Sequence, residues 1–304
     1  MSNIIDAKKL LIIILGPTAS GKSEMAVKIA KKFNGEIISA DSRQVYKDMN
    51  IGTGKITKKE MRAISHHLLD VVSPKRKFTV FQYRKLALKT INKILNKNKI
   101  PILCGGTGFY IQAVIDGILI PEVPPDWKLR KELERKSTEE LYQILKKLDP
   151  KRTKTIDKKN PRRLIRAVEI ATKIGRVPIL EKRVFLPYPV LMIGVKKSLQ
   201  ELKKLIKKRF FRWLKQGLIK EVKNLKKMGL SWKKIEDFGI HYRVVAQFLQ
   251  NKIDYKEMIE NSLKEIQNYV KRQITWFKKD KRIKWIKNYQ EAEKLVKKFI
   301  CERR

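Results

Sequence analysis

The residues Gly16–Ser23, GPTASGKS, satisfy the phosphate-loop pattern G-x-x-x-x-G-K-[ST] at every fixed position. Each fixed type has a chemical reason. Gly16 and Gly21 let the backbone close around an anion with no Cβ in the way. Pro17, Thr18, Ala19 and Ser20 complete the loop. Its amides, with the positive end of the helix that follows, point at phosphate oxygens. Lys22 adds a mobile point charge, and the Ser23 hydroxyl is placed to ligate Mg²⁺. The loop predicts a di- or triphosphate ligand without saying which.

Two elements must hold this loop. Leu10 to Leu15 is an unbroken apolar run, read as a buried strand, and a helix then starts near Gly21. Met25, Ala26, Ile29, Ala30 and Phe33 give that helix one apolar face. A second short strand, EIIS, follows Gly35, and Asp41 comes directly after it. In a parallel sheet, ligands bind outside the carboxyl ends of the strands, so Asp41 emerges beside the loop. There a carboxylate accepts a proton or holds a Mg²⁺ water, unless it serves only as a helix cap or turn residue. IPILC at 100–104 is a third buried strand, and GGTGFY after it is another Gly-rich strand-to-helix turn in the same plane.

Composition sets the broader limits. The 304 residues suffice for one or two domains with a sizeable core, and 42% are hydrophobic. Cys104 and Cys301 lie far apart and have no metal-ligand spacing, and His66 and His67 are adjacent with no third ligand nearby. No run reaches the ~18 apolar residues that span a bilayer, and no basic leader precedes an apolar segment. A reduced, cytoplasmic protein without a membrane partner is expected. Lys and Arg number 72 against 30 Asp and Glu, a net charge of +42 that points to a polyanion, most simply nucleic acid. AT-rich coding accounts for part of the Lys content and explains the Arg clusters less well.

Phe81 to Leu95 reads as an amphipathic helix. From Pro121 the character changes. PEVPP is a stiff break, and residues 126–175 lose strand patterning. Ser137 with Glu140 predicts a capping box, Asn160-Pro161 a helix start and Gly175 its stop. That helix carries Arg162, Arg163 and Arg166 on one face, without matching acids along it, which favours phosphate contacts. PYPVLMIGV at 187–195 returns to strand. Helices follow at 198–216, 218–228, 239–249 and 254–279, the first with a stripe of Leu202, Leu205, Ile206, Phe210 and Leu214 beside Arg209 and Arg212. The last ends NYVKRQITWFKKDKR, where Lys271, Arg272, Lys278 and Lys279 bracket Trp276 and Phe277. Basic residues among aromatics suit nucleic acid, and the alternative places both aromatics in the core.

GPTASGKS, SADSRQVYKDMNIGTGK, HHLLDVVSP, GGTGFYIQA, NPRRLIRAVEI, GLIKEVKNL, IHYR and VKRQITWF occur in the order found in bacterial tRNA dimethylallyltransferases. The resemblance covers nearly the whole chain. It implies that the loop holds the diphosphate of dimethylallyl diphosphate, and that the acceptor is N6 of adenosine 37, next to the anticodon in tRNAs reading U-starting codons. It implies Mg²⁺ as cofactor, with Ser23 as the metal-ligating hydroxyl, and the tRNA anticodon stem–loop as partner. Asp41 matches the residue thought to accept the N6 proton. Thr18 and Lys22 fall on catalytic positions of the loop, and Arg209 matches an arginine near the diphosphate.

The resemblance also assigns tRNA contacts. These fall on Asp41, Ser42, Arg43 and Gln44, on Thr107 and Arg130, and on Arg162, Arg163, Leu164, Ile165 and Arg166. They continue on Phe238, Gly239, Ile240, His241, Tyr242 and Arg243, and on Lys271, Arg272, Gln273, Ile274, Thr275, Trp276, Phe277 and Lys278. The family usually has Gly where this chain has His241, and Ser23 replaces its commoner Thr.

The expectation is therefore an α/β fold: a P-loop parallel-sheet core with helices on both faces and an inserted all-helical subdomain. Residues 1–120 and 188–304 form the catalytic core with its helical tRNA-binding part, and 121–187 the insertion. The expected activity is tRNA prenyl transfer by a monomer. A P-loop kinase of a small molecule is the runner-up, and a non-catalytic RNA-binding protein a third reading, against which intact Lys22, Ser23 and Asp41 argue.

Overall fold

Continuous apolar runs of five or six residues are what a parallel sheet buried on both faces requires. In the computed structural model, which describes residues 9–117, 121, 123–178 and 186–302, those runs assemble into one sheet. Its strands are β1 (Leu11–Leu15), β2 (Gly35–Ser39), β3 (His66–His67), β4 (Ile100–Gly105), β5 (Val190–Val195) and β6 (Ile283–Ile286). All pairings are parallel, in the order β3-β2-β4-β1-β5-β6. β1 lies between β4 and β5, with Ile14 opposite both Cys104 and Ile193.

The two-residue period of β1 divides the core. Leu11, Ile13 and Leu15 enter one apolar cluster, and Ile12 and Ile14 enter the other with Leu10. On the first face lie α3 (Val80–Leu95) and α4 (Gly108–Ile115), through Tyr83, Ala87, Ile91 and Ile111. On the second lie α1 (Lys22–Lys32) and α14 (Tyr289–Cys301), through Met25, Ile29, Ala292 and Val296. The short helix α2 (Lys58–Met61) sits between β2 and β3 and starts in a capping box from Thr57 and Glu60.

A further core joins α9 (Leu199–Lys215), α10 (Leu218–Lys227), α11 (Trp232–Asp237) and α12 (Ile240–Leu249), with α13 (Tyr255–Lys278) against them. Val45, Tyr46 and Met49 from the segment after β2 are buried in it. The apolar stripe of α9 differs from expectation. Leu205 is exposed, and Trp213 is buried in its place. β3, α11, β6 and α14 are elements the sequence patterning did not predict.

By compactness the chain divides into Met1–Asp116 with Phe185–Arg304, and Gly117–Val184. The second unit begins slightly earlier than the expected 121. It contains α5 (Trp127–Leu133), α6 (Thr138–Leu148), α7 (Pro150–Thr153) and α8 (Pro161–Ile174) around Leu133, Leu141, Leu145, Leu164 and Val168. The Ser137–Glu140 capping box, the Asn160 cap with Pro161 in the first turn and the left-handed Gly175 stop are all present.

Candidate active site

Three connections leave the carboxyl edge of adjacent strands. The phosphate loop follows β1, the Gly106–Thr107 turn follows β4, and Ala40–Gln44 follows β2. Gly21 caps α1 at φ 88°, a conformation open to glycine with little strain, and so aims the helix N-terminus into the loop. Gly105 is required for a different reason. A Cβ there would lie 2.1 Å from the Ala40 carbonyl oxygen.

Hydrogen bonds tie the three connections together. The Thr18 amide donates to Gln273 Oε1 at 2.9 Å, and Gln273 Nε2 donates to the Gly106 carbonyl at 2.9 Å. The Ser42 amide donates to Thr107 Oγ1 at 3.1 Å. Asp41 Oδ1 accepts the Arg43 and Gln44 amides at 2.8 and 3.4 Å, which fixes this carboxylate at the head of its own turn. The stacked rings of Tyr83 and Tyr110, 4.0 Å apart, belong to the core on this side of the sheet. The Tyr83 hydroxyl donates to the Ser39 carbonyl.

Positive charge converges on the loop from two sides. Lys22 Nζ donates to the Pro17 carbonyl at 3.3 Å. Arg209 donates to the Thr18 hydroxyl and lies 4.6 Å over the Trp213 ring. Among the described residues neither cation forms an ion pair. Burial lowers the Lys22 ammonium below its ordinary value, Arg209 adds to that, and Cys104 and Asp41 act in the opposite sense. Burial, followed by Arg212, brings Arg209 down to about 10, while Asp41 opposes. Two desolvated cations with no ion-pair partner form a site that an incoming anion completes.

The donor set suits Mg²⁺ of one kind only. Among the described residues no group of three or more His, Cys, Asp or Glu side chains can hold a metal. Mg²⁺ is commonly held by one or two protein oxygens with substrate phosphates and waters, and the exposed Ser23 hydroxyl fits that role. The buried Ser20 hydroxyl has no hydrogen-bond partner among the described residues. Cys104 is buried nearby, its thiol pushed up to about 11 chiefly by desolvation, so it is no thiolate.

Several residues assigned to tRNA contact have buried side chains. Leu164 and Ile165 lie in the core of the helical unit, and Phe238, Tyr242 and Phe277 in the cores of the larger one. Their apolar parts pack in these cores, and the Tyr242 hydroxyl also donates to Glu221. Gln273 is buried and binds the phosphate loop, and His241 is buried between Phe210 and Trp213. The Arg helix does have matching acids. Arg166 and Arg130 both bind the fully buried Glu169, and exposed Arg163 lies 3.7 Å from Asp157. Arg162 is exposed in the first turn of α8. Gly239 and Ile240 are half-buried at the start of α12, and Arg243 pairs with Glu265.

Asp41, Ser42, Arg43, Gln44 and Thr107 are half-buried at the mouth, and Ile274 is half-buried on α13. Lys271, Arg272, Thr275, Trp276 and Lys278 are exposed along that helix. Trp276 stands against the second glycine turn. A Cβ on Gly108 would lie 2.3 Å from its indole nitrogen.

A family model described as IPP transferase matches residues 44–280. The tRNA dimethylallyltransferase of Acetivibrio thermocellus is 40% identical over 298 residues, covering 94% of this chain and 95% of that protein. That of Halothermothrix orenii is 37% identical, covering 99% and 96%. The crystal structure of the full-length tRNA isopentenylpyrophosphate transferase from Bacillus halodurans superposes with a TM-score of 0.73 at 33% identity, covering 97% of this chain and 98% of that one. A eukaryotic dimethylallyltransferase acting on tRNA gives 0.74 at 26% identity, covering 88% of this chain and 69% of the other.

Proposed function

This chain belongs to the IPP transferase family, the tRNA dimethylallyltransferases, and from that premise we propose that it moves a dimethylallyl group from dimethylallyl diphosphate to N6 of the adenosine next to the anticodon. The observation that carries the reading is the pair of cations at the phosphate loop, Lys22 on the Pro17 carbonyl and Arg209 on the Thr18 hydroxyl, both lowered chiefly by burial and both feeling the Asp41 charge. Similarity over nearly the full chain to named tRNA dimethylallyltransferases favours it over a small-molecule kinase.

In the proposed step the N6 amine attacks the allylic carbon and the carbon–oxygen bond to diphosphate breaks. The leaving diphosphate takes the bonding pair. Lys22, Arg209 and the loop amides stabilise the negative charge as it develops. The Asp41 carboxylate accepts the proton released from N6, and its two backbone donors keep it oriented. The Ser23 hydroxyl would hold a Mg²⁺ ion, which would supply further charge neutralisation on the diphosphate. The acceptor base leaves its stack to reach the mouth. The exposed basic–aromatic face of α13 and the net charge of +42 supply sites for RNA phosphates. We place this activity in the cytoplasm and assign it to a monomer. Among the described residues no helix is long and apolar enough to cross a membrane.

The test combines purified protein, Mg²⁺, labelled dimethylallyl diphosphate and an unmodified anticodon stem–loop, with Asp41→Ala alongside. Label on the adenosine next to the anticodon, and a loss of about 100-fold or more in the variant, is the expected result. Transfer that survives the substitution removes Asp41 as base. No transfer, with phosphorylation of a small molecule instead, sinks the prenyl-transfer reading.

A further inference from the structure

The turn that follows the Asp41 segment is held from a distant helix by one carboxylate. Glu221 Oε2 accepts the Asn50 and Ile51 amides at 2.7 and 2.8 Å, and Oε1 accepts the Gly52 amide at 2.9 Å. The Tyr242 hydroxyl donates to the same Oε1 at 2.8 Å. Hydrogen bonds to an ionised acceptor are roughly twice as strong as neutral ones. Glu221 lies in the first turn of α10, where the helix dipole favours a negative charge. Nothing in the chemistry proposed above uses it.

We propose that Glu221 is a positioning residue for the transfer reaction, fixing the Asn50–Gly52 turn and through it the Asp41 carboxylate relative to Arg209. The kinetic part of this proposal rests on the transfer reading. The connection runs through named bonds. Directly after the clamped turn, the Thr53 and Gly54 carbonyls accept from Gln44 Nε2 at 3.3 and 3.2 Å. The Gln44 side chain also accepts from Ser39 Oγ at 3.0 Å, at the end of β2. The Gln44 and Arg43 amides in turn hold Asp41 Oδ1.

On its other side the turn meets the cation. A Cβ on Gly54 would lie 2.9 Å from the Trp213 ring, the ring that Arg209 covers. A Cβ on Gly52 would lie 2.8 Å from the Tyr242 ring. The turn therefore packs against α9 and α12 with no space to spare, and Glu221 sets its distance from both. Proton acceptor and diphosphate-side cation are thus coupled through this turn, in addition to the route through Thr18, Gln273 and Thr107. A carboxylate that served only as a fold anchor would change stability and leave turnover per folded molecule alone.

The experiment compares the full-length wild type with Glu221→Gln and Glu221→Ala. It measures kcat, KM for dimethylallyl diphosphate, and amide exchange across 50–54 below each variant's unfolding midpoint. Misplacing a reacting group by about 1 Å costs on the order of 100-fold, so Glu221→Ala should lose about 10- to 100-fold in kcat. Its KM for the diphosphate should stay within about threefold, with faster exchange at 50–54, and Glu221→Gln, which keeps one acceptor oxygen, should recover part of kcat. Faster exchange in the turn with wild-type kcat overturns the proposal. If Glu221→Ala does not fold, Glu221→Gln decides, and wild-type kcat in that variant overturns it equally. A wild type that transfers nothing overturns the transfer reading itself, an outcome visible before any variant is measured.

Discussion

The Gln273 side chain accepts the Thr18 amide and donates to the Gly106 carbonyl, both at 2.9 Å, so one buried amide from α13 latches two glycine-rich turns together. It stands in the middle of a basic stretch, and its neighbours Lys271, Arg272 and Lys278 are exposed.

Gln273→Leu should therefore damage both stability and donor binding. The Thr18 amide and the Gly106 carbonyl lose partners at a largely buried site, a cost of about 1–3 kcal/mol for each group left unsatisfied. Denaturant midpoints measure the first effect, and KM for dimethylallyl diphosphate, expected to rise, measures the second. A variant with wild-type values in both would remove the latch from this account.

His241 predicts an acid-sensitive stability. Its ring stacks on Phe210 at 5.5 Å and meets Trp213 edge-on at 5.1 Å, and among the described residues neither ring nitrogen has a hydrogen-bond partner. Burial, with Arg209 adding to it, lowers the imidazole from 6.5 to about 3. The unfolded chain thus binds a proton below pH 6.5 that the folded chain refuses until about pH 3. Stability falls as pH falls through that window, by up to about 1.4 kcal/mol per pH unit. His66 is also lowered by burial and acts in the same sense. The difference between wild type and His241→Phe, followed from pH 7 to 5, isolates His241; parallel pH curves would contradict the assignment.

Glu169 predicts the weak point of the helical unit. The carboxylate is fully buried and accepts the Asp126 amide at 2.6 Å, Arg130 Nε at 2.8 Å and the Arg166 guanidinium. Glu169→Ala leaves two arginines facing each other without their acid, a loss of about 3–5 kcal/mol typical of a broken buried pair. Limited proteolysis should cut first within 123–178. Unchanged resistance there would show that the pair contributes little.

The exposed lysines of α13 predict a salt effect. If Lys271 contacts an RNA phosphate, Lys271→Ala lowers the slope of log affinity against log salt by about 0.7–0.9. Titration of an anticodon stem–loop at several salt concentrations reads this directly. An unchanged slope would place Lys271 off the RNA path.

Much of this molecule was determined locally. The phosphate loop needs only its own spacing, and the strands beside it declare themselves as apolar runs because both faces of the sheet are covered. Caps at Ser137, Asn160 and Gly175 are set by short-range bonds, so they too are legible. β6, IKWI, was not, because its middle residues are exposed and only the outer two are buried. β3 is a two-residue edge strand of histidines with no period to read. The allocation of α13 between core and surface was equally hidden, since Phe277 and Trp276 are adjacent in sequence and opposite in burial. Sequence by itself determined the fold class, the anion loop and the family resemblance. Tertiary structure alone decided that Gln273 latches the loop, that Arg130 and Arg166 share Glu169, and that Glu221 holds the turn beyond Asp41. Apart from Arg166 and Glu169, which stand three residues apart on one helix, those pairings join residues dozens to hundreds of positions apart. Such partners meet only after the apolar cores have formed, and no local spacing encodes which polar groups then face each other.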